Sequence, residues 1–271
     1  MAVDTYALTS LANLKSFLGI SASTDDTILE KSIDRASDIA ERYMGRKILS
    51  RAYVEWRDTY GAERIRLYQY PATVIRFVGI GYNAAITVGA TTPTDPAVSV
   101  SVSDSAVILY RQVAAGTDTT TTLTFATYPT TALMAAAINS TAGFTGSVVL
   151  NLPSRYLRRF SGRTLRNATV NLEAPDQAME DYLADLDTGV VYGRQLTGYR
   201  SVLIDYTAGY ATTPDDIEQA AIMIAASLYQ GRKRDPNLAS ESLGGYSYSL
   251  RAPGQSQEEA RAILDAYKAI R

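Results

Sequence analysis

The sequence predicts an α+β protein: a small helical core of about four helices with a short antiparallel β part, interrupted by an inserted β-rich domain. Three observations carry this. Apolar residues recur at helical spacing toward both ends of the chain, the period falls to two between them, and the composition shifts abruptly in the middle. From about Tyr82 to Leu150, Thr, Ser, Ala and Val dominate, Arg111 is the only basic residue, and the acids are Asp95, Asp104 and Asp118. At about 150 residues per domain, 271 residues allow one to two domains. The expected division is a helical core from residues 1–81 and 194–271, an inserted domain over 82–193, and an extended arm over 232–255.

The first helix rests on Leu11, Leu14 and Leu18 after a Thr9 cap, with Gly19 as a left-handed stop. A second opens at Ser23 or Thr24, where Asp25 and Asp26 meet the positive end of the macrodipole, and closes at Gly45. Its apolar stripe is Ile28, Leu29, Ile33, Ala36, Ile39, Ala40 and Tyr43. In RAYVEWRD, Ala52, Val54 and Trp56 alternate with Tyr53, Glu55 and Arg57 as a half-buried strand, and RIRLYQYP and VIRFVGI continue the sheet around Pro71.

Within the β-rich stretch, AVSVSVSDSAVILYR and TTTTLTF are expected as strands, TTALMAAAINS as a short helix capped by Thr130 or Thr131, and GSVVLNL as a returning strand. TGVVYG and SVLIDYTAGY follow as strands, the second with Val202, Ile204 and Tyr206 on one face. Thr213 as cap, Pro214 and Asp215/Asp216 open a helix striped by Ile217, Ala220, Ala221, Ile224 and Leu228 and closed by Gly231. A last helix, capped at Ser256, carries Ile263, Leu264, Tyr267 and Ile270.

Composition removes most catalytic chemistry. With no Cys and no His, Cys/His zinc sites, cysteine nucleophiles, Ser-His-Asp triads, haem ligation by His and disulfides are excluded. The balance of 26 basic and 28 acidic residues argues against a dedicated nucleic-acid binder. MAVDTYALTS lacks the basic and apolar regions of a signal peptide, and no 18-residue apolar run occurs, so a soluble protein made in a cytosol is expected. Nineteen Tyr against five Phe lean toward partner binding, although ordinary half-buried strand tyrosines account for them equally well.

GIGYNA (Gly79–Ala84) matches a dinucleotide fingerprint, with Asp104 about 20 residues on, but no helix start follows to hold a pyrophosphate. A strand end with a tight turn explains it better. The pairs Asp25/Asp26, Asp215/Asp216 and Glu258/Glu259 each open a helix, which accounts for them without hydrolase chemistry. Charge is blocked between residues 155 and 187: Arg155, Arg158, Arg159, Arg163 and Arg166 come first, then Glu173, Asp176, Glu180, Asp181, Asp185 and Asp187. Arg232, Lys233 and Arg234 follow a helix end, where they satisfy carbonyls or meet an acidic partner or passing DNA phosphates.

Two flanking stretches together resemble the head-tail connector proteins of long-tailed bacteriophages, also called adaptors or head-completion proteins. LTSLANLKSFLGISASTDDTILEKSIDRASDIAERYMGRKI with QYPATVIRFVGI matches the family's start; VLIDYTAGYATTPDDIEQAAIMIAASLYQGRKRDPNLASESLGGYSYSL matches its later pattern. The resemblance covers roughly Leu8 to Ile80 and Ser201 to Leu250. It implies a structural virion protein without enzymatic activity, cofactor or metal. Such a protein forms a homo-oligomeric ring, commonly of twelve, under the portal, lets DNA pass unbound, and meets a tail-side completion or stopper protein. It implies no membrane partner, and assembly in the host cytoplasm.

In such a ring Arg155, Arg158, Arg159, Arg163 and Arg166 of one copy are expected to face Glu173, Asp176, Glu180 and Asp181 of the next. Arg232, Lys233, Arg234, Leu243, Gly244, Gly245, Tyr246 and Tyr248 are expected to reach the portal or a neighbour. The competing class is an interaction or adhesion module whose Thr-rich insertion binds capsid, a decoration protein or a glycan; a carboxylate-dependent hydrolase is a third.

Overall fold

The computed structural model describes residues 3–59, 63–92, 95–113, 116–175, 177–193, 201–232, 240–243, 246–249 and 255–269. In chain order come α1 (Leu11–Leu18), α2 (Asp26–Met44), β1 (Arg51–Arg57), β2 (Arg64–Arg66), β3 (Ala72–Ile80), β4 (Asn83–Ala90), β5 (Ala97–Val102) and β6 (Ala106–Gln112). Then follow β7 (Thr119–Thr124), α3 (Thr131–Ser140), β8 (Phe144–Val148), β9 (Phe160–Thr164), β10 (Val170–Ala174), β11 (Gln177–Ala178), β12 (Tyr182–Asp185) and β13 (Val190–Gly193). The chain ends with β14 (Val202–Ala208), α4 (Asp215–Gly231), β15 (Ser240–Leu243), β16 (Tyr246–Ser249) and α5 (Gln255–Asp265). Mixed helices and antiparallel sheets make this α+β, as the periodicity predicts. Among the described residues no helix is long and apolar enough to cross a membrane.

Two compact units divide the chain: Met1–Arg51, Tyr68–Ala72 and Ala208–Arg271 form one, Ala52–Leu67 and Thr73–Thr207 the other. The boundary falls outside the expected 82–193: strands β1, β3 and β14 pair into one sheet and β2 pairs with β13, and residues 52–67, 73–81 and 201–207 lie in the second unit.

The first unit is built from α1, α2, α4 and α5. Leu14, Leu29, Ile33, Met44, Ile217, Ile224 and Leu264 fill its core, and Ala36, Ala40, Ala220, Ala221 and Ala225 leave room for helices to approach closely. The stripe of α2 is narrower than its sequence suggests: Ile28 and Ile39 are 42% and 44% exposed, while Ser32 and Ser37 are buried. Each serine donates its hydroxyl to a carbonyl four residues back, so burial leaves no polar group unsatisfied.

Ser10, not Thr9, caps α1, accepting from Asn13 N–H at 3.1 Å; the Thr9 hydroxyl instead donates to Glu218 Oε1 of α4 at 2.9 Å. Asp25 rather than Ser23 or Thr24 precedes α2, Pro214 rather than Thr213 precedes α4, Gly231 is the last residue of α4, and Ser256 lies inside α5. Gly19 and Gly45 do end their helices with φ of 66° and 71°, where a side chain is strained. The Tyr267 hydroxyl bonds Asp216 in the first turn of α4 at 2.7 Å, which together with burial pushes its pKa up to about 12. Ile270 lies outside the described residues.

In the second unit, β10-β4-β8, β7-β6-β5-β9 and α3 share one core of Ile86, Val88, Val98, Val100, Leu109, Met134, Ile138 and Leu172. The stretch AVSVSVSDSAVILYR, expected as strand, folds back on itself as β5 and β6, with Ser103 and Ala106 closing the turn. Two further sheets run β1-β14-β3-β11 and β12-β13-β2.

Asp95, held by the Thr92 hydroxyl at 2.5 Å and Arg111 Nε at 2.6 Å, has its carboxyl below the usual range, chiefly through the Thr92 bond and then the Arg111 bond. A lowered folded pKa means that these contacts stabilise the fold above the unfolded value of about 3.9, and that the contribution is lost as pH falls through the folded value. Asp95→Asn should therefore be less stable than wild type at neutral pH, with the gap closing below about pH 4; urea unfolding midpoints measured across that range check it.

Candidate functional site

The blocked charges come first. Arg155 sits in a short 3₁₀ turn, Ser154–Tyr156, and its guanidinium donates to Asp205 Oδ2 at 2.5 Å. Arg158 pairs with Glu173 Oε2 at 2.9 Å and lies over the Tyr82 ring at 4.0 Å. Arg159 pairs with Asp104 Oδ2 at 2.9 Å. Arginines 155, 158 and 159 and the acid Glu173, expected to bridge copies, thus have partners within their own chain. Arg163, over the Phe160 ring at 5.0 Å, and Arg166 are exposed, as are Glu180 and Asp181; Asp176 lies outside the described residues. Strand pairing explains the change: once β9 adds to β5 and β10 to β4, Arg158 and Glu173 become neighbours, joined also by a main-chain bond of 2.7 Å.

Asp205 was legible only as an outward-facing alternate of β14, yet it is fully buried. Its Oδ1 accepts from Arg76 Nε and NH2 at 2.9 and 2.6 Å, and its Oδ2 accepts from Arg155 and from the Tyr156 hydroxyl at 2.9 Å. Burial, then the hydrogen bond to Asp205, raises the Tyr156 pKa. Next along β14, the Tyr206 hydroxyl donates to buried Glu55 of β1. A lone acid inside the apolar run VLIDY was the available signal, because a central strand covered on both faces has no solvent side. With two guanidinium groups and a phenol already on one carboxylate, the arrangement locks a sheet and leaves no lone pair aimed at a ligand.

The GIGYNA segment is a strand end: β3 stops at Ile80, Gly81 turns with φ of 70°, and β4 begins at Asn83. Gly79 is required by packing, since a Cβ there would lie 2.6 Å from the Pro175 side chain. Among the described residues no group of three or more acidic side chains is placed to hold a metal ion.

Arg232, expected to meet a partner, donates to Asp25 at 2.6 Å and lies over the Tyr229 ring at 3.7 Å. Lys233, Arg234, Gly244 and Gly245 lie outside the described residues. Within the expected arm, β15 and β16 pair antiparallel, Ser240 opposite Ser249 and Leu243 opposite Tyr246, with Tyr248 opposite Glu241.

A second small sheet carries opposite charges at its two edges. In β12-β13-β2, Glu180, Asp181, Asp185 and Asp187 flank or lie on β12, and Arg64 and Arg66 lie on β2, all exposed. In the sequence the arginines of β2 lie more than a hundred residues before the acids, and only strand pairing brings them into one sheet.

Residues 8–127 match the model of a family described as Phage gp6-like head-tail connector protein. The match covers α1, α2 and strands β1 to β7, continuing past Ile80 and stopping before the arginine-rich stretch. No curated protein matches. Among solved structures, a chain from "Neck of empty GTA particle computed with C6 symmetry" is 14% identical with a TM-score of 0.40, covering 100% of this chain and 95% of that one. A chain from "Virion of native gene transfer agent (GTA) particle" is 16% identical with a TM-score of 0.39, covering 100% and 94%.

Proposed function

From the match of residues 8–127 to the Phage gp6-like head-tail connector protein family model, we propose that this chain is a member of that family and a ring-forming adaptor at the head-tail interface of a virion. It docks under the portal, extends the DNA channel and offers a platform to a tail-side completion or stopper protein. The family match is the observation that carries this reading. The near balance of 26 basic and 28 acidic residues supports it, because a strongly basic lumen would grip phosphates and oppose ejection. No catalytic step is assigned, and the protein works from the host cytoplasm into the particle.

The β15–β16 hairpin is the proposed portal or neighbour contact. A two-stranded hairpin is marginal in water by itself, and its strand edges are suited to joining a partner's sheet. Tyr246 and Tyr248 add alternating aromatic positions along one strand, and repetition around a ring multiplies a weak contact. Deleting Gly244 to Leu250 is expected to leave the helical and β units folded, as judged by circular dichroism, and to abolish attachment to DNA-filled heads in an in vitro completion assay. Heads completed normally by the shortened protein would contradict the assignment.

A further inference from the structure

We propose that the β12-β13-β2 sheet is the junction between neighbouring copies of this chain, the acidic β12 edge of one set against the basic β2 edge of the next. This rests on the ring reading above and names the surface that would build it.

The register determines which groups face outward. Leu67 N–H bonds Gly189 O at 2.8 Å and Gly193 N–H bonds Glu63 O at 3.0 Å, with Ile65 opposite Val191 between them. Residues 63, 65 and 67 therefore direct their main-chain groups at β13, and by the alternation of an antiparallel ladder Arg64 and Arg66 direct theirs away from the sheet. The same parity on the other side of β13 turns the main-chain groups of Tyr182 and Ala184 outward from β12. Among the described residues neither edge is paired, and Arg64 and Arg66 have no ion-pair partner.

Edge strands are commonly guarded by charge, and a guard works when the two edges repel. Here the edges carry opposite signs, so stacking copies is attractive in one orientation and repulsive in the other. Acid against acid and base against base, the two symmetric alternatives, are both disfavoured. What remains is a head-to-tail contact between unlike surfaces, the kind that closes into a ring when its rotation allows.

Apolar groups lie on the same surface. Leu183, 75% exposed, stands directly across from Tyr192, 44% exposed, with Arg64 next in the row; Asp185, Val190 and Arg66 form the row beside it. Since β12 and β2 are both antiparallel to β13, they run in the same direction, and a head-to-tail junction pairs them parallel. The occupant is thus a second copy, whose opposite edge carries the complementary charge and the strand direction that parallel pairing needs.

The test measures self-association of the full-length chain by sedimentation, with tryptophan fluorescence and circular dichroism confirming that each variant is folded. Arg64→Glu with Arg66→Glu should weaken association at least roughly a hundredfold, and Glu180→Lys with Asp181→Lys should do the same. All four changes in one chain swap the signs and should restore it. Association of either pair at wild-type strength, or failure of the fourfold variant to recover, overturns the junction while leaving the ring reading intact, because rings would then be built on another surface. A wild-type chain that stays monomeric up to high concentration also overturns it, assigning the edges to a different chain. The ring itself is judged separately, by imaging completed heads.

Discussion

Asp205→Ala is expected to destabilise the second unit by about 3 kcal/mol, since removing one member of a buried ion pair leaves uncompensated charge behind. Two guanidinium groups and the Tyr156 hydroxyl would lose their shared acceptor at once. The figure sits at the low end of the range for such changes because Arg76 and Arg155 are 34% and 46% exposed and can recover some hydration. Asp205→Asn should recover little: it removes the negative charge and places an amide donor among donors. Trp56, the only tryptophan, lies on β1 beside β14, so its fluorescence in a urea titration reports on this sheet directly. A midpoint within error of wild type would show that the arginines are held by other contacts.

Gly209→Ala should disrupt the first unit by about 4 kcal/mol. Gly209 has φ of 109°, which strains any side chain, and a Cβ there would lie 2.7 Å from Ile48 O and from the Leu49 carbonyl. The obstruction is main chain, which cannot swing aside as a flexible side chain can. Around it, Gly209 N–H bonds Pro71 O, Tyr210 N–H bonds Ile48 O and Ser50 N–H bonds Tyr210 O, so three segments meet where only a glycine fits. Thermal unfolding followed at the helical band is the measurement, and Ala208→Gly, one residue away and without this close approach, is the control. The glycine of the YTAGY motif thus has a structural cause: it allows one strand end to cross another segment's backbone.

The helices were legible because their information is local. Leu14, Leu29, Ile33, Ile217 and Leu264 recur at helical spacing and are buried together, and Gly19 and Gly45 end their helices as their position implies. Cap identity was less legible, since Thr9 was drawn off by Glu218, a residue more than two hundred positions away. Ile28 and Ile39 show the same limit: periodicity gives the direction of the apolar face, while its width depends on which helices pack against it.

The candidate surfaces were only half legible. Blocks of opposite charge were plain in the sequence, but strand order decided that Arg158 would neutralise Glu173 within the chain and that Arg159 would meet Asp104. The same pairing placed Arg64 and Arg66 two strands from Glu180 and Asp181. The stretch of residues 232–255 reads as an extended arm in the sequence, and within it β15 and β16 pair antiparallel.

By itself the sequence determined the α+β class, the main helices, the exclusion of histidine and cysteine chemistry, and the resemblance to head-tail connectors, because each depends on residue type or on spacing within a few turns. The tertiary structure alone decided where the two units divide, why Asp205 is buried and which charges remain exposed. Those depend on contacts between segments far apart in the chain, and a buried charge, a crowded glycine or a free sheet edge has no local signature until the strands have been paired.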